Sequence, residues 1–266
     1  MQEILDKIKI FNDDNFVFDE KAHAYTYGKE KLTSVTTFIK NFSEPFDAEY
    51  WSKRKAKDRI AEKRGISREQ IKDNDPDLDL TIKEIIGEWD KKRDTACDMG
   101  TNVHFYIENK FTPGSTITRD NFEDLETLRR IDKFETLYES KLTNVIPIAQ
   151  ELRIFSRKLK LAGTIDGLFM RNGKLMILDY KTNAKMSTDA DKCWQKLKAP
   201  FHDEWENELN KYSIQLNLYK LILSEYDIHV DSCALVYIPP SIDEPKILKV
   251  KDYESKLRAY FGLGRK

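Results

Sequence analysis

The chain has 266 residues, of which 40% are hydrophobic and 34% are charged. Its 45 basic and 46 acidic residues give a net charge of −1, which excludes a uniformly basic polyanion-binding protein and requires any such ligand to meet a local patch. Three widely spaced cysteines exclude a CxxC zinc site and a four-cysteine iron–sulfur cluster. We find no apolar run of membrane-spanning length and no secretory or transit pattern, so we expect a cytoplasmic protein that does not engage membranes.

The first 81 residues contain short β-prone pieces followed by charged helical sequence. Residues 16–18 and 24–27 predict strands, Gly28 predicts a turn, and Ser34 predicts the cap of a short helix. Residues 47–72 are compatible with a helix and carry a basic run, for which a solvated helix face is the simplest interpretation. Residues 73–79 predict an exposed acidic loop.

From residue 82 onward, helical and extended patterns alternate. Apolar residues at three- and four-residue spacing predict a helix over 82–107, in which Gly100 indicates close packing or a local irregularity. A further helix over 121–142 precedes an extended segment over 146–155, and another helix over 206–226 precedes strands over 232–238 and 246–250. This order predicts an α/β fold with a mixed central sheet flanked by helices.

The central feature is a hairpin between these segments. Asn172 and Gly173 separate two apolar-rich runs, which is the strongest short-range hairpin signal. With a two-residue loop, cross-strand partners have residue numbers that add up to 345, so Asp166 faces Asp179. Lys181 follows two residues later on the same face.

Directly opposed carboxylates repel each other, and a hard divalent cation such as Mg²⁺ would convert the repulsion into a set of ligands. The alternative is a half-exposed cluster of Asp166, Asp179 and Lys181 that makes ordinary ion pairs. The hairpin alone leaves both interpretations open.

Four motifs in one order carry a family resemblance. They are Gly100-Thr-Asn-Val-His104, Gly163-Thr-Ile-Asp166, Ile177-Leu-Asp-Tyr-Lys181 and Gln215-Leu-Asn-Leu-Tyr219. From about Trp89 to Ile238 the chain resembles the RecB-like branch of the PD-(D/E)XK nucleases, and it looks most similar to phage-type exonucleases and to the mitochondrial genome-maintenance exonuclease. Ile165 stands where the family name has Pro, as is usual in that branch.

The resemblance implies a restriction-endonuclease-like nuclease core over residues 82–266, with residues 1–81 as an N-terminal β and helical cap. It implies that His104, Asp166, Asp179 and the main-chain carbonyl of Tyr180 are metal ligands and that Lys181 is the catalytic lysine. Asp166 and Asp179 thereby also belong to the catalytic set. A bound metal activates water and neutralises phosphate charge while the ammonium stabilises the transition state, which is the chemistry of phosphodiester hydrolysis.

Several residues keep two interpretations. His104 is either a ligand, which would make Mn²⁺ suitable beside Mg²⁺, or a hydrogen-bonded histidine on a helix face. Glu151 is either an outer carboxylate for a second metal or water, or an exposed acid at a strand end. By resemblance, Gln215 and Tyr219 face the site, although Tyr219 also suits a core position.

We therefore expect a divalent-metal-dependent exonuclease that acts on DNA ends or single strands in replication, recombination or repair, with a helicase or single-strand-binding protein as a possible partner. If the chain is phage-encoded, the location would be the host cytoplasm. Basic residues in 53–68 and 91–93 would then meet phosphates, and Trp51, Trp89 and Phe105 would either stack on bases or lie in the core. The alternatives are a structure-specific or restriction-type endonuclease and a non-catalytic DNA-binding module.

Overall fold

The computed structural model describes residues 1–191, 193–240 and 243–264. Eight strands form one sheet: β1 (Phe16–Asp19), β2 (Ala24–Tyr27), β3 (Glu30–Ser34), β4 (Ile146–Ser156), β5 (Leu161–Arg171), β6 (Lys174–Lys181), β7 (Ser232–Tyr237) and β8 (Lys246–Lys249). The α-helices of the described residues are α1 (Gln2–Ile8), α2 (Val35–Ile39), α3 (Ala48–Arg64), α4 (Leu78–Phe111), α5 (Leu125–Leu137), α6 (Glu208–Ser224) and α7 (Glu254–Tyr260). Short 3₁₀ turns occupy Lys9–Asn12, Lys40–Phe42, Arg68–Gln70 and Arg119–Asn121, and a π turn over Tyr138–Leu142 prolongs α5.

The sheet is mixed, with the strand order β1-β2-β3-β5-β6-β7-β8 and β4 paired to β5. β3 and β5 are parallel, as are β6 and β7, whereas the other pairs are antiparallel. This arrangement of a mixed sheet with flanking helices confirms the predicted fold class and is consistent with a restriction-endonuclease-like fold.

The hairpin forms at the predicted turn. Asn172 and Gly173 have φ of +52° and +77°, and positive φ at both central residues is what a type I′ hairpin turn requires. The pairs from Arg171 with Lys174 to Gly167 with Leu178 follow the predicted register, in which partner numbers add up to 345. Asp166 and Asp179 are the next residues along the two strands.

The N-terminal strands form where the sequence predicts them, but their sheet partners lie far away in the chain. Gly28 has φ of +58° at the predicted turn, and the Ser34 side chain accepts a hydrogen bond from the backbone N–H of Thr37 as the cap of α2. Thr33 and Ser34 pair with Leu161 and Ala162, which joins β1–β3 to the main sheet. Such long-range pairing is not visible in local patterns.

Two compact units contain the chain, one of residues 1–44 and 100–266 and one of residues 45–99. The larger unit holds the sheet, and α6 contributes most of its residues to the buried core beside it. On β6, Asp179 contacts α6 through Gln215, whereas the ring of Tyr180 packs against Phe134 of α5. Because neighbouring residues of a strand point to opposite faces, α5 and α6 cover opposite faces of β6.

The smaller unit is helical and has its own core. Asp47 caps α3 by accepting from the backbone N–H of Tyr50, and Gly65 ends the helix with φ of +64°. The core is small and contains Ala56, Ile60, Ala61, Ile71, Leu78 and Ile85. The domain boundary predicted between residues 81 and 82 stays a prediction.

Among the described residues, no helix combines the length and the apolar character needed to span a bilayer.

Candidate active site

The site lies where β5 changes its sheet partner. One edge of β5 pairs with β3 at Leu161 and Ala162 and with β6 from Gly167 onward, which leaves residues 163–166 without a register partner on that edge. Asp166 is the last of these residues, and its Oδ2 accepts a hydrogen bond from the backbone N–H of Tyr180 at 2.8 Å. The divergence of two strands therefore leaves a polar side chain of the central strand free to point into a site.

Three side chains converge beside this point. Ligand atoms of His104, Glu151 and Asp166 all lie within 4.8 Å of one another. His104 comes from α4, and its Nδ1 lies 3.6 Å from Asp166 Oδ2, with the two side chains 28% and 13% exposed. The structure thus brings His104 and Asp166 together, as the sequence motifs predict.

Glu151 occupies an unusual position in the middle of β4. It falls between the pairs of Gln150 with Gly167 and Leu152 with Ile165, which sets it across from Asp166. Its φ is +45°, a left-handed backbone conformation that is strained for a residue with a side chain and is often found at functional sites.

Burial is the main reason why the pKa of Glu151 is raised to about 8, and the nearby charges of Asp166, Glu108 and Asp179 add to the effect. Glu151 is half-buried inside the cluster, so of its two interpretations the one of an exposed acid at a strand end was wrong. A second carboxyl group held this close to Asp166 keeps its proton near neutral pH unless a positive charge compensates it.

Asp179 is completely buried and lies beside the cluster without belonging to that group of three. Its Oδ2 lies 2.7 Å from Lys181 Nζ, and its Oδ1 accepts a hydrogen bond from Gln215 Nε2 at 3.3 Å. The interpretation of a half-exposed ion-pair cluster was therefore wrong for Asp179, because its side chain is only 1% exposed and that of Lys181 only 17%.

The surroundings shift the ionisation of this pair. Burial raises the pKa of Asp179 to about 6, although the charge of Lys181 opposes the shift. For Lys181, burial would lower the pKa, but the charges of Asp179 and Asp166 outweigh it and raise the pKa above its ordinary value. Lys181 is therefore a fully protonated ammonium group, and its Nζ also lies 4.5 Å from the centre of the Tyr212 ring.

Gln215 and Tyr219 lie one turn apart on α6 and support the ion pair of Asp179 and Lys181. Gln215 Nε2 donates to the hydroxyl of Tyr219 at 3.1 Å while it donates to Asp179. Both side chains are buried, so the prediction that they share one helix face is correct, and Tyr219 is part of the core as well as of this network.

Tyr219 reaches the site because Gly163 has no side chain. A Cβ placed at Gly163 would lie 2.6 Å from Cε1 of Tyr219, which real Cβ atoms do not tolerate. Gly100 likewise permits a close approach, since a Cβ there would lie 3.0 Å from Oγ1 of Thr182. The prediction of close packing at Gly100 is thus confirmed.

Arg130 of α5 supports the site and was not recognised in the sequence. Its side chain is 3% exposed, and its Nη1 donates to the carbonyls of Thr182 and of Ile238, the latter at 2.9 Å. The backbone N–H of Ile238 in turn donates to the carbonyl of Lys181 at 2.8 Å. Arg130 therefore ties together the ends of β6 and β7 directly after Lys181, and its only sequence signal is an arginine at an apolar position of a helical period.

A hard or borderline divalent cation fits the observed donors. Carboxylate oxygens and an imidazole nitrogen converge within 4.8 Å, and the pKa of Glu151 is raised first by burial and then by the neighbouring acids, both of which a bound cation would offset. Mg²⁺ prefers oxygen ligands, and Mn²⁺ accepts nitrogen as well.

Comparison with protein families gives one result for this region. A family model described as the PD-(D/E)XK nuclease superfamily matches residues 88–262, about two thirds of the chain. The matched range contains every candidate site residue from His104 to Tyr219. No curated protein matches the chain.

Proposed function

Because the chain belongs to the PD-(D/E)XK nuclease superfamily and is therefore a metal-dependent nuclease, we propose that it is an exonuclease acting on DNA ends or single strands. One observation carries the nuclease chemistry. The His104, Glu151 and Asp166 cluster lies beside a buried Asp179 whose carboxylate holds the ammonium of Lys181.

His104, Glu151 and Asp166 would hold the divalent ion, with Asp179 and the carbonyl of Tyr180 as further ligands. Glu151, which the sequence suggested as an outer carboxylate, is proposed here as an inner ligand because its carboxylate belongs to the cluster. The ion would supply a water of lowered pKa and neutralise charge on the scissile phosphate. Mg²⁺ and Mn²⁺ both suit this mixed donor set.

Lys181 is the catalytic residue of the proposal. Its ammonium group is held between the Asp179 carboxylate and the Tyr212 ring, so its position is set before substrate binds. A preorganised positive charge stabilises the extra negative charge of the phosphorane-like transition state more effectively than a mobile one. The same group can orient the attacking water.

Gln215 is proposed as a positioning residue and Tyr219 as its support. The amide of Gln215 leaves Asp179 with a fixed orientation, and the Tyr219 hydroxyl fixes the amide in turn. Neither residue needs to exchange a proton during the reaction. Their effect on the reaction would pass through Asp179 and Lys181.

The preference for an exonuclease rests on the resemblance of the four ordered motifs to phage-type and mitochondrial exonucleases. Replication, recombination or repair would be the setting, and a helicase or a single-strand-binding protein the partner, as expectations from the same resemblance. A structure-specific or restriction-type endonuclease would use the same site. A non-catalytic DNA-binding module is disfavoured because Asp166, Asp179 and Lys181 are all present.

The test is a time course on linear single-stranded and double-stranded DNA labelled at the 5′ or 3′ end, beside a closed single-stranded circle. Each substrate is incubated with Mg²⁺, with Mn²⁺ or with EDTA. Metal-dependent shortening of linear DNA from one end, with the circle intact, is the expected result.

Two controls define the contrary outcomes. The Lys181→Met variant must cleave every substrate at least about 10²-fold more slowly than the wild type if the proposed site performs the reaction. Cutting of the circle would replace the exonuclease by the endonuclease, and the absence of cleavage in all DNA would contradict the proposed function.

A further inference from the structure

The smaller unit, residues 45–99, carries exposed aromatic side chains near the start of α3. Phe46, Tyr50 and Trp51 are 67%, 52% and 45% exposed, and Trp89 of α4 is partly buried against the core of this unit. We call Phe46, Tyr50, Trp51 and Trp89 the aromatic patch. These exposed rings form an apolar surface that is in contact with water and that a ligand could cover.

The rings of the aromatic patch form two edge-to-face pairs. The centres of Phe46 and Trp89 are 5.8 Å apart, and those of Tyr50 and Trp51 are 5.1 Å apart. The buried side of α3 uses other residues, since Ala56, Ile60 and Ala61 form the core. Phe46, Tyr50 and Trp51 are therefore additional to the core of this unit, whereas Trp89 also packs against that core.

Two cations lie on these rings. Arg54 Cζ is 5.5 Å from the centre of a Trp51 ring, and Lys55 Nζ is 5.9 Å from the centre of a Trp89 ring. Arg54 Nη1 also donates to the hydroxyl of Tyr50 at 3.3 Å. Within the described ranges, neither cation has a carboxylate within 4 Å.

Other basic residues of the same unit are paired with acids. Lys53 and Lys57 both bind Asp73, at 2.9 and 2.7 Å. Arg59 binds Glu88 at 2.8 Å. These ion pairs neutralise much of the basic run, whereas Arg54 and Lys55 keep their charge beside the aromatic rings.

We propose that the aromatic patch, with Arg54 and Lys55, binds unpaired bases of single-stranded DNA. Flat rings stack on bases of any sequence, while the two cations can meet the phosphates between them. The same rings could not stack on the bases of a duplex, because those bases already stack on one another. This inference rests on the proposed function, because the choice of a nucleic acid as the occupant follows from the nuclease family.

The test separates stacking from charge by comparing two polyanions of equal length. One is fluorescently labelled oligothymidylate, and the other is an oligomer of abasic deoxyribose phosphate, which has the same backbone charge but no bases. Binding of the full-length protein is measured in EDTA, where cleavage does not interfere. We expect the wild-type protein to bind oligothymidylate more tightly.

The combined Tyr50→Ala and Trp51→Ala variant should lose about tenfold in affinity for oligothymidylate and little for the abasic oligomer. The Trp51→Phe variant should retain most of the affinity, because it keeps a ring for stacking. The matched control is Trp194→Ala, which removes a tryptophan that is 95% exposed and lies outside the smaller unit. This control should bind both oligomers as the wild type does.

The contribution of charge is tested in the same assay. Arg54→Ala should reduce the salt dependence of binding by about one phosphate contact, whereas Arg59→Ala, which removes a cation already paired with Glu88, should reduce it less.

The proposal is overturned if the aromatic variant binds oligothymidylate normally, or if it loses affinity for both oligomers equally. Either result would show that the aromatic patch does not stack on unpaired bases. Because no cleavage is measured, a failure here leaves the proposed nuclease activity intact. A patch-dependent affinity in a protein that cleaves no DNA would instead contradict the proposed function alone.

Discussion

The ammonium of Lys181 lies 2.7 Å from the carboxylate of Asp179, whose side chain is only 1% exposed. Removal of one partner from a buried pair leaves the other charge uncompensated. A substitution in this ion pair should therefore change both the rate of cleavage and the free energy of unfolding.

We expect Lys181→Met to lower the rate of DNA cleavage by about 10²–10³-fold or more, since it removes a positioned positive charge. The free energy of unfolding should fall by about 3 kcal/mol near pH 8, because Asp179 is then buried without its cation. Initial rates and chemical denaturation measure the two effects. The control is Lys185→Met, whose side chain is 75% exposed; equal behaviour of the two variants would contradict the assignment.

Metal binding should stabilise the folded protein through the acidic cluster. Mg²⁺ or Mn²⁺ at about 100 times its dissociation constant should add about 2.7 kcal/mol to the stability of the wild type and raise its Tm. The combined Asp166→Ala and Asp179→Ala variant should show no such rise, and Glu151→Gln a smaller one. Thermal denaturation with metal and with EDTA provides the measurement, and an equal rise in all three proteins would place the metal elsewhere.

The metal-free protein should become less stable as the pH rises from about 5 to about 8. Over this range the folded state keeps protons that the unfolded chain has released, because the pKa of Glu151 is raised from 4.5 to about 8 and that of Asp179 from 3.8 to about 6. The free energy of unfolding therefore decreases with pH. Urea denaturation in EDTA at several pH values measures this slope.

Glu151→Gln should flatten that slope, most clearly above pH 6. The control is Glu88→Gln, because the hydrogen bond from Arg59 lowers the pKa of Glu88 and its titration lies below the range tested. A slope that is unchanged in Glu151→Gln would show that Glu151 is not protonated in the folded state.

Gly163→Ala should destabilise the protein by about 1–3 kcal/mol, because the added Cβ would lie 2.6 Å from the ring of Tyr219. The double variant with Tyr219→Leu should lose less stability than the sum of the two single variants, since the smaller leucine removes the clash with the new Cβ. Gly87→Ala is the matched control, as nothing lies within 4 Å of its Cβ and alanine favours a helix. Additive losses of stability in the double variant would mean that positions 163 and 219 are not in steric contact.

Arg130→Met should cost about 2–4 kcal/mol of stability, because the carbonyls of Thr182 and Ile238 lose a buried donor. At a temperature where the variant stays folded, kcat should fall while KM changes little, since the main chain after Lys181 is no longer held. Arg130→Lys should restore part of both losses. The neighbouring Arg129, 70% exposed, supplies the control Arg129→Met, and a purely structural role would leave kcat of folded Arg130→Met unchanged.

The sequence by itself determined the features that depend on local backbone preference and spacing. Asn172 and Gly173 adopt positive φ because their types tolerate it, and this turn sets the register of the hairpin. Ser34 caps its helix for an equally local reason. The ordered motifs imply His104, Asp166, Asp179 and Lys181 as site residues by resemblance, and the structure places His104 beside Asp166 and Asp179 beside Lys181.

Only the tertiary structure decided how distant segments meet. Glu151 enters the cluster through the pairing of β4 with β5 and a strained backbone, and Arg130 reaches two strand ends from a separate helix. β3 joins the sheet beside β5 across more than a hundred residues. Contacts of this kind depend on the burial and hydrogen bonding of the whole fold, which outweigh local propensity, and no short sequence pattern encodes them.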